Sequence, residues 1–257
     1  MAESGQLPLA DRVVLVTGAA RRIGAVLARA FHGAGARIAI HYHRSTHEAQ
    51  ELTAELNSLR PLSAVALQAD LANLDAIGVL PAEAVGSFGR LDVLVNNAST
   101  FYPTPVGSIT AAQFDDLIAT NFRAPLFLSQ AAAPELASRS GLILNIADIH
   151  ALRPLVRHPV YSAAKAALVM LTRALARELG PRVRVNAIAG TPAAKPMIAI
   201  AVMWLSKAVN CPFWKHAATA GSANSSRPHI AGSAISRVVR KPQSSEREKP
   251  SRSALTW

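Results

Sequence analysis

A tyrosine and a lysine four residues apart, Tyr161 and Lys165, are well suited to move a proton. On a helix this spacing places both side chains on one face. An ammonium group beside a phenol stabilises the phenolate, which lowers the phenol pKa from about 10 toward neutral pH and makes the phenol a usable proton donor. Lys165 is also the only lysine among residues 1–189. The alternative is a surface tyrosine and lysine on an amphipathic helix.

A turn with two glycines, Gly18 and Gly24, follows the first apolar run, in the sequence TGAARRIG. Glycines at such a turn let the backbone approach a pyrophosphate, and the following helix offers free amides and the positive end of its dipole. The GxGxxG form is absent, so the glycines alone also fit an ordinary strand–helix turn. The position directly after the first predicted strand favours a dinucleotide site.

The end of the second apolar run, residues 41–45 (HYHRS), contains no acidic residue. A site for NAD needs Asp or Glu there to bind the ribose 2′-hydroxyl. Arg44 and Ser45, with His43 beside them, could instead hold a 2′-phosphate through charge-assisted hydrogen bonds. We therefore expect NADPH as the cofactor, with a solvated strand end as the alternative. Neither Cys nor an acidic residue has metal-ligand spacing to the histidines here, so we expect no metal site.

The elements that position these residues alternate short β-branched runs with longer amphipathic stretches, as in a parallel sheet covered by helices on both faces. Strands are predicted at residues 12–16, 37–42, 64–68, 91–96, 142–146 and 183–188. Helices are predicted at residues 23–32, 46–59, 74–88, 111–136 and 160–179, with Pro125 and Pro134 disturbing the fourth. This order predicts an α/β fold, a single domain with a doubly wound, Rossmann-like parallel sheet.

Four motifs in this order resemble the short-chain dehydrogenase/reductase family: TGAARRIG, the run Asn96-Asn97-Ala98, Asn121 in the following helix, and Tyr161-x-x-x-Lys165. The resemblance covers approximately residues 8–189. It implies catalytic roles for Asn121, Tyr161 and Lys165. It also implies cofactor contacts from Gly18, Arg22, Ile23, Gly24, His43, Arg44, Ser45, Asp70, Asn97, Ala98 and Ser99.

Several departures from the general family pattern narrow the resemblance. Asp148 replaces the usual serine thirteen residues before the tyrosine, and Arg22 replaces a glycine of the turn. The second strand ends in HYHRS, and the Asn-Asn-Ala run continues as STFYPTP. This combination resembles the pteridine reductases, particularly the bacterial ones.

That resemblance implies hydride transfer from NADPH to a pterin, dihydropterin or folate ring, with the proton going to a ring nitrogen. Asp148 beside Tyr161 suits this task, since a buried carboxyl group can deliver a proton directly or through water. The resemblance further implies that Phe101 stacks on the pterin, and that Arg22 and Ser99 reach both the cofactor and the substrate. The alternatives are a core aromatic for Phe101 and a loop-capping carboxylate for Asp148.

The composition changes near residue 189. Residues 1–189 hold 17 Lys and Arg against 14 Asp and Glu (net +3), whereas residues 190–257 hold 10 against 2 (net +8). All three tryptophans and the single cysteine lie in the second part. We therefore divide the chain into a reductase domain, residues 1–189, and a non-matching basic tail, residues 190–257, expected to be disordered. A shifted reading frame that replaced the family's last strand and helices is one explanation, and a genuine extension is the other.

Composition also excludes several classes of protein. The chain is 50% hydrophobic and 17% charged, which excludes wholesale disorder. The longest apolar run, residues 197–205, is too short to span a membrane, and residues 1–12 show no signal-peptide pattern, so we expect a cytoplasmic protein. The basic charge lies mostly in the tail, without a motif for nucleic-acid binding, so we expect a small-molecule partner instead.

Two functions compete with the pteridine reductase interpretation. One is a short-chain reductase of another carbonyl or imine substrate. The other is an inactive remnant that binds dinucleotide. The family resemblance implies a homotetramer, and the altered C-terminal part would remove its usual subunit contacts and impair activity.

Overall fold

Six short runs rich in Val, Ile, Leu and Ala form the strands of one sheet in the computed structural model, which describes residues 7–190. The strands are β1 (Val13–Val16), β2 (Arg37–Tyr42), β3 (Ala64–Gln68), β4 (Val93–Asn96), β5 (Leu142–Asp148) and β6 (Arg184–Gly190). The α-helices are α1 (Arg22–Gly33), α2 (Thr46–Leu59), α3 (Leu74–Phe88), α4 (Ala111–Ile118), α5 (Ala124–Ser138) and α6 (Pro159–Leu179).

All neighbouring strands pair in parallel, in the order β3-β2-β1-β4-β5-β6. The chain therefore winds outward in one direction from β1 to β3 and in the other from β4 to β6. The switch point lies between β1 and β4, at the carboxyl edge where ligands bind in such sheets. This topology confirms the predicted doubly wound, Rossmann-like α/β fold.

The sheet is buried on both faces, as the alternation of side chains along β1 shows. Val14 and Val16 pack with apolar residues of α1 and α2 on one face. Val13 and Leu15 pack with residues of α3, α5 and α6 on the other face. All four side chains are fully buried, which fixes the strand that leads directly into the glycine turn.

The largest departure from the sequence prediction is the helix at residues 111–136. It is divided into α4 and α5 by a five-residue π-helical turn, Ala119–Arg123, which contains Asn121. Pro125 has no N–H for the carbonyl group of Asn121, so a regular α-helical bond is lost at this point. Pro134 lies inside α5 without ending it.

The remaining predictions differ from the structure mainly at element ends. The bounds of β2, α2, β3 and α3 agree with the sequence analysis, whereas β5 extends to Asp148 and β6 to Gly190. The predicted tail, apart from Gly190, lies outside the described residues. Within residues 7–190, no helix is long and apolar enough to cross a membrane.

Candidate active site

A groove of about 670 Å³ opens along the carboxyl edge of the sheet. Every residue that the sequence analysis assigned to the cofactor lines it: Gly18 and residues 22–24 after β1, residues 43–45 after β2, Asp70 after β3, and residues 97–99 after β4. Parallel strands bring these distant segments together because their carboxyl ends share one edge. Phe101 also lines the groove.

The turn after β1 is shaped by its glycines. Gly18 has φ +60°, a conformation that favours glycine. A side chain at Gly24 would collide with the carbonyl oxygen of Gly18 and would lie 2.7 Å from Asn97 Nδ2. Asn97 Nδ2 itself donates to the carbonyl groups of Thr17 (2.8 Å) and Gly18 (3.1 Å). The turn is therefore held against β4. Its backbone beside the N-terminus of α1 faces the groove, which fits a diphosphate.

Two arginines flank the start of α1. Arg22, the first residue of the helix, has φ +52°, in the region where a glycine would be unstrained. Arg21 pairs with Glu48 of α2 at 3.3 Å. Arg22 is exposed at the groove, so its positive charge is available to a bound anion.

The far end of the groove also carries positive charge. Ser45 occupies the N-cap position of α2, and its side chain makes no cap hydrogen bond. The adjacent Arg44 is exposed. His43 Nε2 lies 3.8 Å from Asp70 Oδ2, and Asp70 Oδ1 accepts the amide of Ala72. A helix N-terminus, a free hydroxyl group and a guanidinium together form a good environment for a phosphate.

Asp148 is the last residue of β5, and Tyr161 lies near the start of α6. Their side chains meet there. The hydroxyl group of Tyr161 donates to Asp148 Oδ2 at 2.7 Å. The other carboxylate oxygen accepts the amide of His150 at 2.9 Å, so Asp148 also caps the short 3-10 turn that follows β5. Asp148 is half-buried and Tyr161 is buried. Asp148 can therefore cap the loop through one oxygen and take part in proton transfer through the other.

Lys165 lies on the same face of α6 as Tyr161, as the spacing predicts. Its Nζ atom is 5.7 Å from the centre of the Tyr161 ring and donates to the carbonyl group of Ile146 at 3.1 Å. Burial lowers the pKa of Lys165 to about 8, and the charge of Asp148 opposes that shift. The buried Nζ atom is therefore held near the phenol ring by its bond to Ile146.

The pKa of Tyr161 departs from the expected direction. Burial raises it above its usual range, and the hydrogen bond and negative charge of Asp148 raise it further. A hydrogen bond with Ser99 lowers it, but to a smaller extent. Lys165 was expected to lower this pKa, but burial and the Asp148 carboxylate raise it. We therefore expect Tyr161 to be a protonated phenol at neutral pH.

Asn121 joins the π-helical turn to the loop after β4. Its Nδ2 atom donates to the carbonyl groups of Leu117 (3.0 Å) and Thr100 (2.9 Å). Its Oδ1 atom accepts the hydroxyl group of Ser99 at 2.6 Å. Asn121 is fully buried and does not line the groove, whereas Ser99 lies at the groove and near Tyr161. Asn121 therefore positions Ser99 in this structure.

Phe101 is not a core residue, because 54% of it is exposed. Its ring lies 4.8 Å from the Tyr161 ring in an edge contact. A second ring, that of His158, stacks parallel to Phe101 at 4.7 Å with an interplanar angle of 8°. His158 Nδ1 donates to the carbonyl group of Val156. The Phe101 ring thus contacts both the phenol ring and the His158 imidazole.

Two of these neighbours were not selected from the sequence. His158 precedes Tyr161 by three residues, and its proximity to Phe101 depends on a loop whose path the sequence pattern did not predict. Thr17 was quoted only as part of the turn, yet its hydroxyl group accepts the amides of Asn97 and Ala98. A polar residue at the end of a buried strand was the available signal for Thr17.

The comparison with known families decides the assignment of the chain. Residues 12–201 match the family described as short chain dehydrogenase. This chain belongs to the short-chain dehydrogenase family. The family uses nicotinamide dinucleotide cofactors, and the glycine turn and groove of this chain fit such a molecule. The chain is thus an oxidoreductase of this family, acting on a small molecule.

Similar proteins carry several different names. Pteridine reductase 1 of Leishmania tarentolae is 38% identical over 218 residues, covering 68% of this chain and 74% of the relative. A Rhizobium meliloti protein named "Probable galactose dehydrogenase GalD" is 38% identical over 191 residues (72% and 73%). The human L-xylulose reductase is 37% identical over 186 residues (71% and 72%). Identity alone therefore does not select a substrate within the family.

Within the described residues, no group of three or more His, Cys, Asp and Glu side chains could hold a metal ion. His41 Nε2 instead contacts the carbonyl group of Ala69, and His47 pairs with Glu51 on the surface of α2. His41, His43 and His47 therefore have different contacts and do not form a cluster.

Proposed function

We propose that this chain is an NADPH-dependent reductase of a pterin, dihydropterin or folate ring. The observation that carries the proposal is the 2.7 Å hydrogen bond from Tyr161 to Asp148, because a carboxyl group occupies the position of the family's usual serine. A serine hydroxyl group binds a carbonyl oxygen, whereas a carboxyl group can also deliver a proton to a ring nitrogen.

The proposed roles follow from the surroundings of each residue. The nicotinamide cofactor, when bound, supplies the hydride. The Tyr161–Asp148 pair supplies the proton that the ring nitrogen gains. Because the pKa of Tyr161 is raised, a phenolate beside the Asp148 carboxylate is costly. In the proposed step, Asp148 protonated from solvent gives its proton to the ring nitrogen and is left as a carboxylate, to which the Tyr161 hydroxyl group donates and which it keeps oriented.

The side chains around the pair support a flat, polar substrate. Phe101 offers an exposed ring beside Tyr161, and His158 lies parallel to it. Ser99 lies at the groove, where its hydroxyl group donates to Asn121 Oδ1 and is held in place. Arg22 is exposed on the same groove. Stacking and a few convergent polar groups are the usual means of holding a heterocycle. Lys165 Nζ lies 5.7 Å from the centre of the Tyr161 ring.

The preference for NADPH is supported by the end of β2. No acidic residue lies among residues 41–45, so the ribose 2′-hydroxyl group lacks its usual partner in an NAD site. Arg44, the free hydroxyl group of Ser45 and the N-terminus of α2 fit a 2′-phosphate instead. Asp70 borders this region through its contact with His43.

The test uses the full chain and follows consumption of NADPH with dihydrobiopterin, with L-xylulose as the competing substrate and galactose with the oxidised cofactor. We expect turnover of dihydrobiopterin well above that of either sugar. Turnover of a sugar with none of the pterin would favour the other short-chain reductases. Absence of turnover with all three would contradict the proposed activity for this chain.

A further inference from the structure

His41 lies at the cofactor groove, and its buried imidazole uses both ring nitrogens. Nδ1 accepts the amide of Gly18 at 3.0 Å, and Nε2 lies 3.1 Å from the carbonyl oxygen of Ala69. Only 2% of the residue is exposed. Because the amide can only donate and the carbonyl group can only accept, the ring must be the neutral form with its proton on Nε2.

This contact reaches the part of the chain that shapes the dinucleotide site. Gly18 is the residue with φ +60° in the turn after β1. The backbone of His41 holds the same turn, since its carbonyl group accepts the amide of Ala19 at 2.8 Å. On the opposite side, Asn97 holds the carbonyl groups of Thr17 and Gly18. The turn is thus clamped between β2 and β4.

The use of the Gly18 amide has a consequence for phosphate binding. Since that donor is directed at His41, a bound diphosphate must rely on the amides at the start of α1 and on Arg22. What Gly18 contributes is the shape of the turn. That shape is fixed by hydrogen bonds from residues of β2 and from Asn97 after β4.

We propose that His41 is a positioning residue for the cofactor, whose Nδ1 acceptor holds Gly18 in the conformation that receives the dinucleotide. This role depends on nicotinamide dinucleotide binding and is independent of the pterin assignment. Its loss leaves the half-buried Gly18 amide without this acceptor and lets the turn relax away from the shape that fits the diphosphate.

Two substitutions distinguish the effect of the His41 Nδ1 acceptor from that of the rest of the His41 side chain. His41→Asn keeps a short acceptor close to the position of Nδ1. His41→Gln reaches toward Ala69 but places no acceptor beside Gly18. Both retain a buried polar group of similar size, so they differ chiefly in the contact with Gly18.

A matched control lies at the opposite edge of the sheet. His32 is also buried, with 4% exposed, and its Nε2 atom contacts the hydroxyl group of Ser63 at 2.7 Å. Ser63 directly precedes β3, far from the carboxyl edge. His32→Gln therefore makes the same substitution at a comparably buried histidine without touching the turn.

The experiment measures the dissociation constant of the nicotinamide cofactor that the wild-type chain binds more tightly, by fluorescence, together with thermal unfolding of each cofactor-free variant. We expect His41→Gln to weaken binding by about tenfold or more and His41→Asn to restore most of the affinity, while His32→Gln lowers stability alone. Equal affinity in His41→Asn and His41→Gln, or equal weakening in His41→Gln and His32→Gln, would overturn the proposal. If His41→Gln does not fold, wild-type affinity must persist in His41→Asn for the proposal to stand.

Discussion

Tyr161 donates its phenolic proton to Asp148, thirteen residues earlier in the chain, at 2.7 Å. The two residues lie on different elements, and α6 packs against β5 and the 3-10 turn that follows it, which brings the two side chains together. A carboxylate at this distance keeps the phenol protonated, because it raises the pKa of Tyr161 in addition to the effect of burial. The pair acts as a unit rather than as an isolated tyrosine.

The first prediction concerns the ionisation of that phenol. In the cofactor-free chain, Tyr161 is expected to ionise above the ordinary tyrosine pKa of about 10. The chain has three tyrosines, so the difference between the ultraviolet titrations of wild type and Tyr161→Phe isolates this one. Asp148→Asn is expected to lower its pKa, since the charge that opposes the phenolate is removed. A Tyr161 pKa near neutral pH in wild type would contradict this prediction and would show that Lys165 determines the ionisation of the phenol.

The second prediction concerns Arg22, whose φ of +52° costs roughly 1 kcal/mol for a residue with a side chain. Arg22→Gly is expected to raise the free energy of unfolding by about that amount and to weaken NADPH binding, since the charge at the groove is lost. Arg157 is the control, because it has φ +65° and does not line the groove. Arg157→Gly should stabilise the chain without changing NADPH affinity. Denaturant unfolding and cofactor titration measure the two effects.

The third prediction concerns the choice between cofactors. Arg44→Asp is expected to remove a charge-assisted contact of roughly 1.5–3 kcal/mol from the 2′-phosphate, which weakens NADPH binding and leaves NADH binding much less affected. Arg182→Asp makes the same charge change at the opposite edge of the sheet and should leave the preference intact. If NADPH and NADH bind equally well before and after the change at Arg44, this residue does not select the cofactor.

The fourth prediction is a pH dependence of stability from His41. Burial lowers its pKa from 6.5 to about 4, with a smaller opposing effect of the bond to Ala69 and a further lowering by His43. The unfolded chain therefore takes up this proton first, and stability falls as the pH falls from 6.5 toward 4. Asp70 is the acidic side chain near this region, through its contact with His43.

The size of this effect is roughly 3 kcal/mol for a shift of that extent in a buried group. Urea unfolding of wild type and His41→Asn across this pH range measures it, because the other titrating groups contribute to both chains. A smaller slope is expected for His41→Asn. Identical slopes for the two chains would show that His41 is protonated equally in the folded and unfolded states.

Much of the scaffold could be predicted from the sequence, since strand and helix periodicity and the glycine turn are local signals. The bounds of β2 and α2 were predicted from apolar periodicity and from the polar residues that end the strand. The π-helical turn at Asn121 was not predicted, although Pro125 indicated an irregularity. A proline reveals that a hydrogen bond is lost but not how the helix accommodates the loss.

The site was predicted less completely, because its detailed chemistry depends on contacts between distant segments. Asp148 was selected for its spacing from Tyr161, yet the direction of the Tyr161 pKa follows from burial and distance, which the sequence does not contain. His158 beside Phe101 and the amide of Gly18 on His41 are likewise contacts between separate loops and strands. A motif specifies the residues at a site, and the fold determines which of them contact each other.

The most direct test of the central claim is the kcat for dihydrobiopterin after Asp148→Ser, which installs the family's usual serine, beside Asp148→Asn. Both changes remove the carboxyl group, so both should lower kcat by about 100-fold or more. NADPH affinity should be retained, because Asp148 does not line the cofactor groove. Wild-type kcat in Asp148→Ser would contradict the account, since a hydroxyl group would then suffice for the proton transfer assigned to the Tyr161–Asp148 pair.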